Sequence, residues 1–407
     1  MSLTTNQRFS ISFLLLLVFS CSTEKPTEAP NSTYLGQETP DSIPQLFGKG
    51  IVSVKGRFDV GFTISPDGNS MAFGVADETN PENTGIYLMS YVDGQWTAPD
   101  KSFLPDNVNT FFPMFSPSGK ELYFAKSIGE SPTDLWVAEY SDKKAINAQP
   151  LEAIFNSASR EAGHGTSTKG SFYFTSNRDD QHSCCGDIYY AQLEPDGYSQ
   201  VQKSEVLSSP ADEEGLFLSP DEDYLIVQAW RYESESKHDL YISYRTKKDA
   251  WTVPRRLNSR INSKEIEQRP FVSPDNRFLF FSRTSVLREN EQEVYDSDIY
   301  WVSTASVFSP YVYNPPIESS MRYNEAFELH LPEDIFEDVD DEKLSFQLTL
   351  ENNSAIPDWM EFDDDRLIVR GQWKTREVLI LKMTARDASG NSGEFIFELA
   401  SKTTNNH

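Results

Sequence analysis

Short apolar runs, separated by polar turns, alternate along most of this chain. The first clear pair spans residues 58–74, where two apolar runs flank the tetrapeptide SPDG that starts at Ser65. In such a turn the proline presets φ, the aspartate side chain bonds back to the backbone, and the glycine accepts a positive φ. The pattern therefore predicts two short antiparallel strands joined by a tight turn.

This hairpin pattern occurs five times. The serine that opens each turn returns after 51, 51, 52 and 54 residues, at Ser65, Ser116, Ser167, Ser219 and Ser273. A third β-rich run follows each turn, such as DIYYAQL from Asp187, and a shorter fourth run is seen, for example from Arg255. Four short strands in each period are expected of the blades of a β-propeller.

The two ends of the repeat region predict how the propeller closes. The stretch from Gln45 lines up with the stretch from Arg255, so it is expected to supply the fourth strand of the fifth repeat. Both ends would then share one blade and leave no open sheet edge. Residues 45–308 are accordingly predicted to form a five-bladed β-propeller in an all-β protein. Six blades are the alternative, although a sixth would need about 45 further residues.

The first 20 residues have the pattern of a signal peptide. The apolar run from Phe13 to Phe19 is shorter than the roughly 20 residues of a membrane-spanning helix. Ser20 then precedes Cys21, which resembles the bacterial lipobox and implies that Cys21 carries a lipid. An ordinary signal peptide with an incidental cysteine is the alternative. Residues 21–44, rich in Pro, Thr, Glu and Ser, are predicted to be a flexible tether.

The repeat itself resembles a known family. The turn, the apolar run after it and the later DIY, as at Asp298, are similar to TolB-like and WD-like propeller repeats. The chain shares the stretch GIVS, from Gly50, with exported Bacteroidetes lipoproteins that carry this repeat. The resemblance implies a lipid-anchored protein of the bacterial cell envelope, at the outer membrane. It implies no chemistry, because propellers serve as scaffolds, ligand binders and enzymes.

The pattern changes in residues 313–402, which resemble the cadherin-like module of the dystroglycan type. The matching segments are FEDVD from Phe336, PDW from Pro357 and ARD from Ala385. The resemblance implies a small β-sandwich. Asp338, Asp340 and Asp341 offer the oxygen ligands that calcium prefers. A solvated acidic turn is the alternative, and no other cofactor is implied.

Charge restricts the partners. The chain has 36 Lys and Arg against 63 Asp and Glu, which gives a net charge of −27. Nucleic acids and anionic membranes attract basic surfaces, so this composition argues against both as partners. The membrane would be contacted through the N-terminal lipid only. A glycan or another envelope protein is the expected ligand, in a role that could be accessory to polysaccharide utilisation.

Alignment of the five copies brings acidic residues into register. Six positions before the turn serine lie Asp59, Thr110, Glu161, Glu213 and Glu267. A basic residue follows the second run in four copies, at Lys126, Arg178, Arg231 and Arg283. We expect these acids, Arg178, Arg283 and the nearby His164 to form a ligand site at one mouth of the channel. The alternative is that each acid solvates its loop or pairs with the arginine of a neighbouring blade.

Two enzyme classes compete with a binding role. Propeller glycosidases place two carboxylates in the channel, for which Asp59, Glu161, Glu213 and Glu267 are the candidates. Propeller lyases use a histidine-rich metal site, but the five histidines of this chain show no paired spacing. We therefore favour a binding protein and assign no catalytic residue.

One loop carries an unusual pair of cysteines. Cys184 and Cys185 are adjacent, and apart from Cys21 they are the only cysteines of the chain. Thiols of exported proteins are commonly joined, so a disulfide between these neighbours is expected. A reduced pair, and a metal site with His182 and Asp180, are the alternatives.

Overall fold

The structure, a computed structural model, is dominated by β-strands. It describes residues 34–77, 80–179, 186–231, 238–289, 292–315, 319–339 and 343–401. Two short 3-10 helices, Pro81–Asn83 and Thr304–Ser306, lie among the strands. In these ranges no helix has the length and apolar character needed to cross a bilayer. The all-β prediction is confirmed.

The strands of each copy pair antiparallel and form one blade, and the described residues contain five such blades. Blades one and five are joined into a single eight-stranded sheet, in which Phe58 pairs with Ser297. The first strand of the chain is β1 (Gln45–Leu46). Blade one has β2 (Phe58–Ile64), β3 (Ser70–Ala76), β4 (Gly85–Val92) and β5 (Gln95–Trp96). Blade two has β6 (Thr110–Phe115), β7 (Glu121–Lys126), β8 (Asp134–Ser141) and β9 (Lys144–Pro150). Blade three has β10 (Glu161–Thr166), β11 (Ser171–Ser176), β12 (Asp187–Glu194), β13 (Gly197–Tyr198) and β14 (Gln202–Lys203).

The remaining two blades complete the ring. Blade four has β15 (Asp212–Leu218), β16 (Tyr224–Trp230), β17 (Asp239–Tyr244) and β18 (Arg255–Arg256). Blade five has β19 (Ile266–Val272), β20 (Phe278–Glu289) and β21 (Gln292–Ser303). The inner strands β2, β6, β10, β15 and β19 contact one another in this order, and β19 contacts β2. These five strands therefore surround the central channel.

The turn serines hold their hairpins through their hydroxyl groups. The Ser65 hydroxyl donates to Asp67 at 2.6 Å and accepts the backbone N–H of Ser70 at 2.9 Å. Gly68 in this turn has a φ of 71°, which a glycine adopts at little cost. This local geometry explains why the same turn residues recur along the chain.

The two ends of the propeller meet in blade five, as the sequence predicts. Strand β1 pairs antiparallel with β21, so that Gln45 lies opposite Trp301 and Leu46 opposite Tyr300. The Ser53 hydroxyl adds hydrogen bonds to the backbone of Ile299. The N-terminal strand therefore closes the ring.

The predicted tether differs from the structure at its C-terminal end. Tyr34 is only 2% exposed and packs against Phe278, Phe280 and Trp301 of blade five. Its hydroxyl donates to Asp275 at 2.9 Å. An aromatic side chain gains from this burial, so from Tyr34 onward the chain is docked on the propeller.

Residues after the propeller form a second set of sheets. Its strands are β22 (Tyr311–Val312), β23 (Ser319–Met321), β24 (Ala326–His330), β25 (Phe336–Glu337), β26 (Ser345–Leu350), β27 (Met360–Asp363), β28 (Ile368–Gln372), β29 (Leu379–Arg386) and β30 (Ser392–Ser401). A four-stranded sheet, β23-β30-β29-β26, and a three-stranded sheet, β24-β28-β27, share one core around Trp373 and Met383. This is a small β-sandwich.

The sandwich contacts blade four of the propeller. The Tyr244 and Tyr311 rings stack with their centroids 4.4 Å apart. Arg255 donates hydrogen bonds to the hydroxyl of Ser309 and to the carbonyl of Ser392. The sandwich therefore lies at the end of the channel where the turn serines are, which we call the turn mouth. The opposite end, where the inner strands begin, is called the entry mouth.

Candidate functional site

The aligned glutamates occupy equivalent places in their blades, and all are buried. Glu161, Glu213 and Glu267 are each 0% exposed. In each blade the serine four residues earlier donates its backbone N–H and its hydroxyl to the carboxylate, at 3.0–3.1 Å and 2.6 Å; these serines are Ser157, Ser209 and Ser263. The carboxylate thereby anchors the loop that leads into the inner strand.

An arginine of the same blade completes each anchor. Arg178, Arg231 and Arg283 lie 3.4, 3.3 and 2.7 Å from Glu161, Glu213 and Glu267, respectively. Each arginine also donates to a backbone carbonyl, at Phe155, Leu207 or Ile261. The acids therefore pair with arginines of their own blade, whereas the sequence analysis considered arginines of a neighbouring blade.

Blades one and two vary this arrangement. Asp59 is also 0% exposed, and it accepts from the Val54 backbone N–H and from Arg57, at 2.9 and 2.5 Å. Blade two has no acid at the equivalent position, where the Thr110 hydroxyl bonds to Asn107 instead. The same structural place is thus filled by three different side-chain types.

Burial changes the proton affinity of these acids. It raises the pKa of Asp59 and of Glu213 to about 7 each, and it also raises the pKa of Glu267. None of the four carboxylates has surface that a ligand in the channel could touch. Their geometry is that of internal anchors, and it gives no support to the open ligand ring or to a pair of glycosidase acids.

Two large side chains from different blades meet inside the ring of inner strands. Four positions before each turn serine, the five blades place Gly61, Phe112, Gly163, Gly215 and Arg269. The guanidinium of Arg269 lies over the Phe112 ring, 3.4 Å from its centroid. A Cβ on Gly215 would approach Arg269 to 3.1 Å, so the glycine leaves the space that the arginine occupies. We call the stacked Phe112 and Arg269 the channel plug.

His164 lies beside the plug and away from the buried acids. Its side chain is 2% exposed, and burial lowers the pKa of His164 to about 4, so the ring is neutral at pH 7. The Tyr123 backbone interacts with the imidazole, but not at hydrogen-bonding geometry. The structure therefore does not bring His164 together with the other residues of the predicted site.

A different cluster lies at the entry mouth, between blades three and four. Asp212 and Glu214 flank the buried Glu213, and a β-bulge at this point alters the direction of Glu214. His238, just before β17, brings its Nε2 to 3.5 Å from an Asp212 oxygen and to 4.0 Å from a Glu214 oxygen. Arg160 donates to Glu214 at 3.1 Å. We call Arg160, Asp212, Glu214 and His238 the mouth cluster.

Neighbouring groups fix these carboxylates in place. The Gly186 backbone N–H donates to Asp212 at 2.7 Å, and the Gln228 amide donates to Glu214 at 3.3 Å. Burial acts to raise the pKa of Glu214, but the charges of Arg160 and Arg269 outweigh it and lower that pKa below its ordinary value. Glu214 is therefore held ionised at the mouth.

The mouth cluster is the candidate metal centre of the described residues. One ligand atom from each of Asp212, Glu214 and His238 lies within 4.8 Å of the others, a spacing compatible with a shared cation. However, the Arg160 guanidinium already neutralises Glu214, and the charge of Arg269 is near. Positive charges at this distance oppose a divalent cation.

An exposed aromatic ring stands next to this cluster. Trp230 ends β16 and is 50% exposed, and its ring centroid is 6.4 Å from that of His238. The sequence pattern did not predict a site made of Trp230, Asp212, Glu214, Arg160 and His238. A signal was present, since three acids follow one another at Asp212 and the second strand of this blade ends in tryptophan.

The turn mouth has a separate cavity of about 360 Å³. Its lining includes Phe217 and Tyr224 of blade four, Phe271 of blade five and Val339 of the sandwich. Asp338, next to Val339, is half-buried, and its charge contributes to the raised pKa of Tyr244, which burial chiefly causes. This candidate calcium ligand therefore lies near blade four. Five further predicted residues, Cys21, Cys184, Cys185, Asp340 and Asp341, lie outside the described residues.

Comparison with known proteins gives limited similarity. No protein family matches the sequence, and no curated protein does. Among solved structures, TolB from Acinetobacter baumannii is 14% identical over 61% of this chain and 54% of that one, with a TM-score of 0.37. A putative TolB from Agrobacterium tumefaciens is 14% identical over 61% and 90%, with a TM-score of 0.39.

An α-L-arabinofuranosidase from Lactobacillus brevis is 12% identical over 60% of this chain and 91% of that one, with a TM-score of 0.40. The chain thus spans about half the length of the Acinetobacter protein and most of the length of the other two. All three TM-scores are below 0.5, so we draw no functional conclusion from these neighbours. The fold assignment rests on the sheets and their order around the channel.

Proposed function

We propose that this protein is an exported, lipid-anchored binding protein of the bacterial cell envelope that recognises a glycan at the entry mouth. The observation that carries the proposal is Trp230, an exposed indole ring next to a cluster of fixed polar side chains. The anchor would be a lipid on Cys21, and the docked N-terminal segment would connect it to blade five. The role could be accessory to polysaccharide utilisation.

The chemistry of the mouth suits a sugar. An exposed indole offers a flat apolar face against which a pyranose ring can pack. A carboxylate and a guanidinium can then bond to the hydroxyls around the ring, and the partly exposed Glu214 and Arg160 supply these groups. The hydrogen bond from Arg160 already holds the acceptor in a fixed position. A preorganised polar site loses less free energy on binding.

A binding role fits the acids better than a catalytic one. Glycoside hydrolysis needs two carboxyl groups that can reach the sugar from opposite sides. The four aligned acids are 0% exposed, and each accepts hydrogen bonds from its own blade. These acids are therefore unsuited to attack a sugar. A carbohydrate-active enzyme is the alternative function, and the experiment must distinguish it from a binding protein.

The test is a glycan-array screen with the chain from residue 21 carrying Cys21→Ser, followed by product analysis of every hit. We expect binding to one class of glycan without new reducing ends and without unsaturated products. New products would establish the enzyme instead. Absence of binding across the array, together with capture of an envelope protein, would replace the glycan with a protein ligand.

The anchor has its own test. Cells that express the full chain would be labelled with a radioactive or clickable palmitate. We expect label in the wild-type protein and none in the Cys21→Ser variant, which should be released from the membrane fraction. Label that persists in the variant would place the lipid elsewhere, and an unlabelled wild type would leave the ordinary signal peptide as the explanation.

A further inference from the structure

A small cavity of about 20 Å³ lies beside the channel plug. All five blades line it, through residues that include Gly61, Phe112, His164, Leu216 and Arg269. A cavity needs roughly 10–15 Å³ of such space to hold one water molecule. This cavity therefore has room for one particle of the size of a water molecule or a halide ion, but not for a carboxylate, phosphate or sulfate.

Arg269 brings a buried positive charge to this cavity. The side chain is 7% exposed, and its Nη1 donates to the Glu214 backbone carbonyl at 2.6 Å. Its Nε is buried and has no hydrogen-bond partner within the described residues. No described carboxylate lies within salt-bridge distance of Arg269, and the side chain of Glu214 is engaged by Arg160. The guanidinium thus has no carboxylate in direct contact, and the charges of Glu214 and Asp212 act on it from a longer distance.

His164 faces the same cavity from blade three. Both of its ring nitrogens are buried without a hydrogen-bond partner in the part of the chain that the structure describes. A neutral imidazole carries one N–H donor. Since a buried donor without a partner destabilises the folded state, an occupant that accepts hydrogen bonds from His164 and Arg269 together would stabilise the fold.

We propose that this cavity binds one small monovalent anion of halide size, held by the Arg269 Nε–H and by a ring N–H of His164. An anion satisfies both donors and also neutralises the guanidinium. A water molecule would satisfy the donors but would bring no negative charge into contact with the guanidinium. Phe112 stacks on the arginine and also lines the cavity, and an ion held there would bind blades three and five together. This site is independent of the glycan site.

The first measurement is thermal unfolding at constant ionic strength. Sodium chloride and sodium bromide would be compared with sodium gluconate, whose anion is too large for the cavity. An ion that binds only the folded state raises the Tm in a saturable, concentration-dependent way. We expect such a rise in chloride and bromide and a constant Tm in gluconate. Equal Tm values in all three salts would overturn the proposal.

Two variants locate the effect. Arg269→Gln should abolish the halide dependence, whereas Arg277→Gln, which removes the same charge from an exposed position, should retain it. Halide dependence that survives in Arg269→Gln would mean that the ion binds elsewhere and would overturn the proposal. Because Arg269→Gln could fail to fold, crystals of the wild-type protein grown in bromide provide a second test. An anomalous peak between Arg269 and His164 is expected, and a cavity without one contradicts the site.

Discussion

Ser263 donates both its backbone N–H and its hydroxyl to the carboxylate of Glu267, at 3.1 and 2.6 Å. The same two bonds join Ser157 to Glu161 and Ser209 to Glu213, and a guanidinium completes each set. The serine, the acid and the arginine thus form one repeated anchor. Its fully buried carboxylate links a loop, an inner strand and an arginine that lies within or just after the second strand.

Removal of one acid should therefore destabilise its blade. In Glu267→Ala the Arg283 guanidinium loses its partner in a half-buried place, and removal of one member of a buried pair costs about 3–5 kcal/mol. Ser263→Ala, which removes a hydrogen bond to a charged group, should cost about 1.5–3 kcal/mol. Urea unfolding measures both. Glu265→Gln, two residues away and half-exposed, is the matched control and should change the free energy of unfolding by under about 0.5 kcal/mol.

The buried position of Glu213 predicts a pH dependence of stability. Burial raises its pKa from 4.5 to about 7, so between these values the folded protein binds the proton more tightly than the unfolded chain does. This contribution to stability is complete below pH 4.5 and is lost as the pH rises through 7. The free energy of unfolding of the wild type, relative to Glu213→Gln, should fall by roughly 3 kcal/mol from pH 4.5 to 8.

Urea unfolding of both proteins at several pH values checks this slope. Comparison with the variant cancels the general repulsion among the acidic residues of the chain. Asp59→Asn should show the same direction, because burial raises the pKa of Asp59 from 3.8 to about 7. A difference between wild type and Glu213→Gln that does not change with pH would contradict the raised pKa.

The inner strands β10 and β15 approach each other closely at Gly163, so a side chain at this position should clash with β15. A Cβ there would lie 2.4 Å from the Gly215 Cα and 2.8 Å from the Glu214 carbonyl oxygen, both of which are backbone atoms. Gly163→Ala should therefore destabilise the protein by about 3 kcal/mol or more, because overpacking forces the strands apart. Gly94→Ala is the control, since its Cβ meets open space and only the positive φ of 83° opposes it, at about 1–2 kcal/mol. Thermal unfolding ranks the two, and equal losses would contradict the steric explanation.

The entry mouth predicts which substitutions abolish ligand binding. Trp230 is half-exposed, so Trp230→Ala should leave the free energy of unfolding within about 0.5 kcal/mol of wild type. If the indole is the sugar platform, the same change should weaken glycan binding at least tenfold, as measured by calorimetry on an array hit. Tyr323→Ala removes an aromatic ring of similar exposure, 45%, from the sandwich and should not affect binding. Unchanged affinity in Trp230→Ala would remove this mouth from the proposal.

The repeat made much of the propeller predictable. Nearly equal spacing of the turn serines identified the blades, and alignment of the stretch at Gln45 correctly predicted the pairing that closes blade five. The same alignment placed Glu161, Glu213 and Glu267 at equivalent positions, which is where the structure has them. It did not show whether a side chain points into the blade or into the channel, and that depends on strand direction and on the bulges.

Two other features escaped the sequence analysis. The channel plug forms because three blades have a glycine where the other two have Phe112 and Arg269. This difference is visible in the sequence only when the residues four positions before the turn serines are compared. The hairpin of β20 and β21 has 12 residues in each strand, whereas β3, β7, β11 and β16 have six or seven. The polar residues near the end of this hairpin have the composition of a loop, so the sequence gives no sign that the strands extend so far. The backbone of the two strands nevertheless stays paired as far as Glu289 and Gln292.

The pairing of β1 with β21 also sets an order of events during biosynthesis. The Ser53 hydroxyl and the Ile299 carbonyl that it bonds are 246 positions apart, so the segment that emerges first must wait for nearly the whole propeller. Contacts of such long range slow folding. Until β21 has been synthesised, β1 and Ser53 have no strand to pair with, and the ring stays open at blade five.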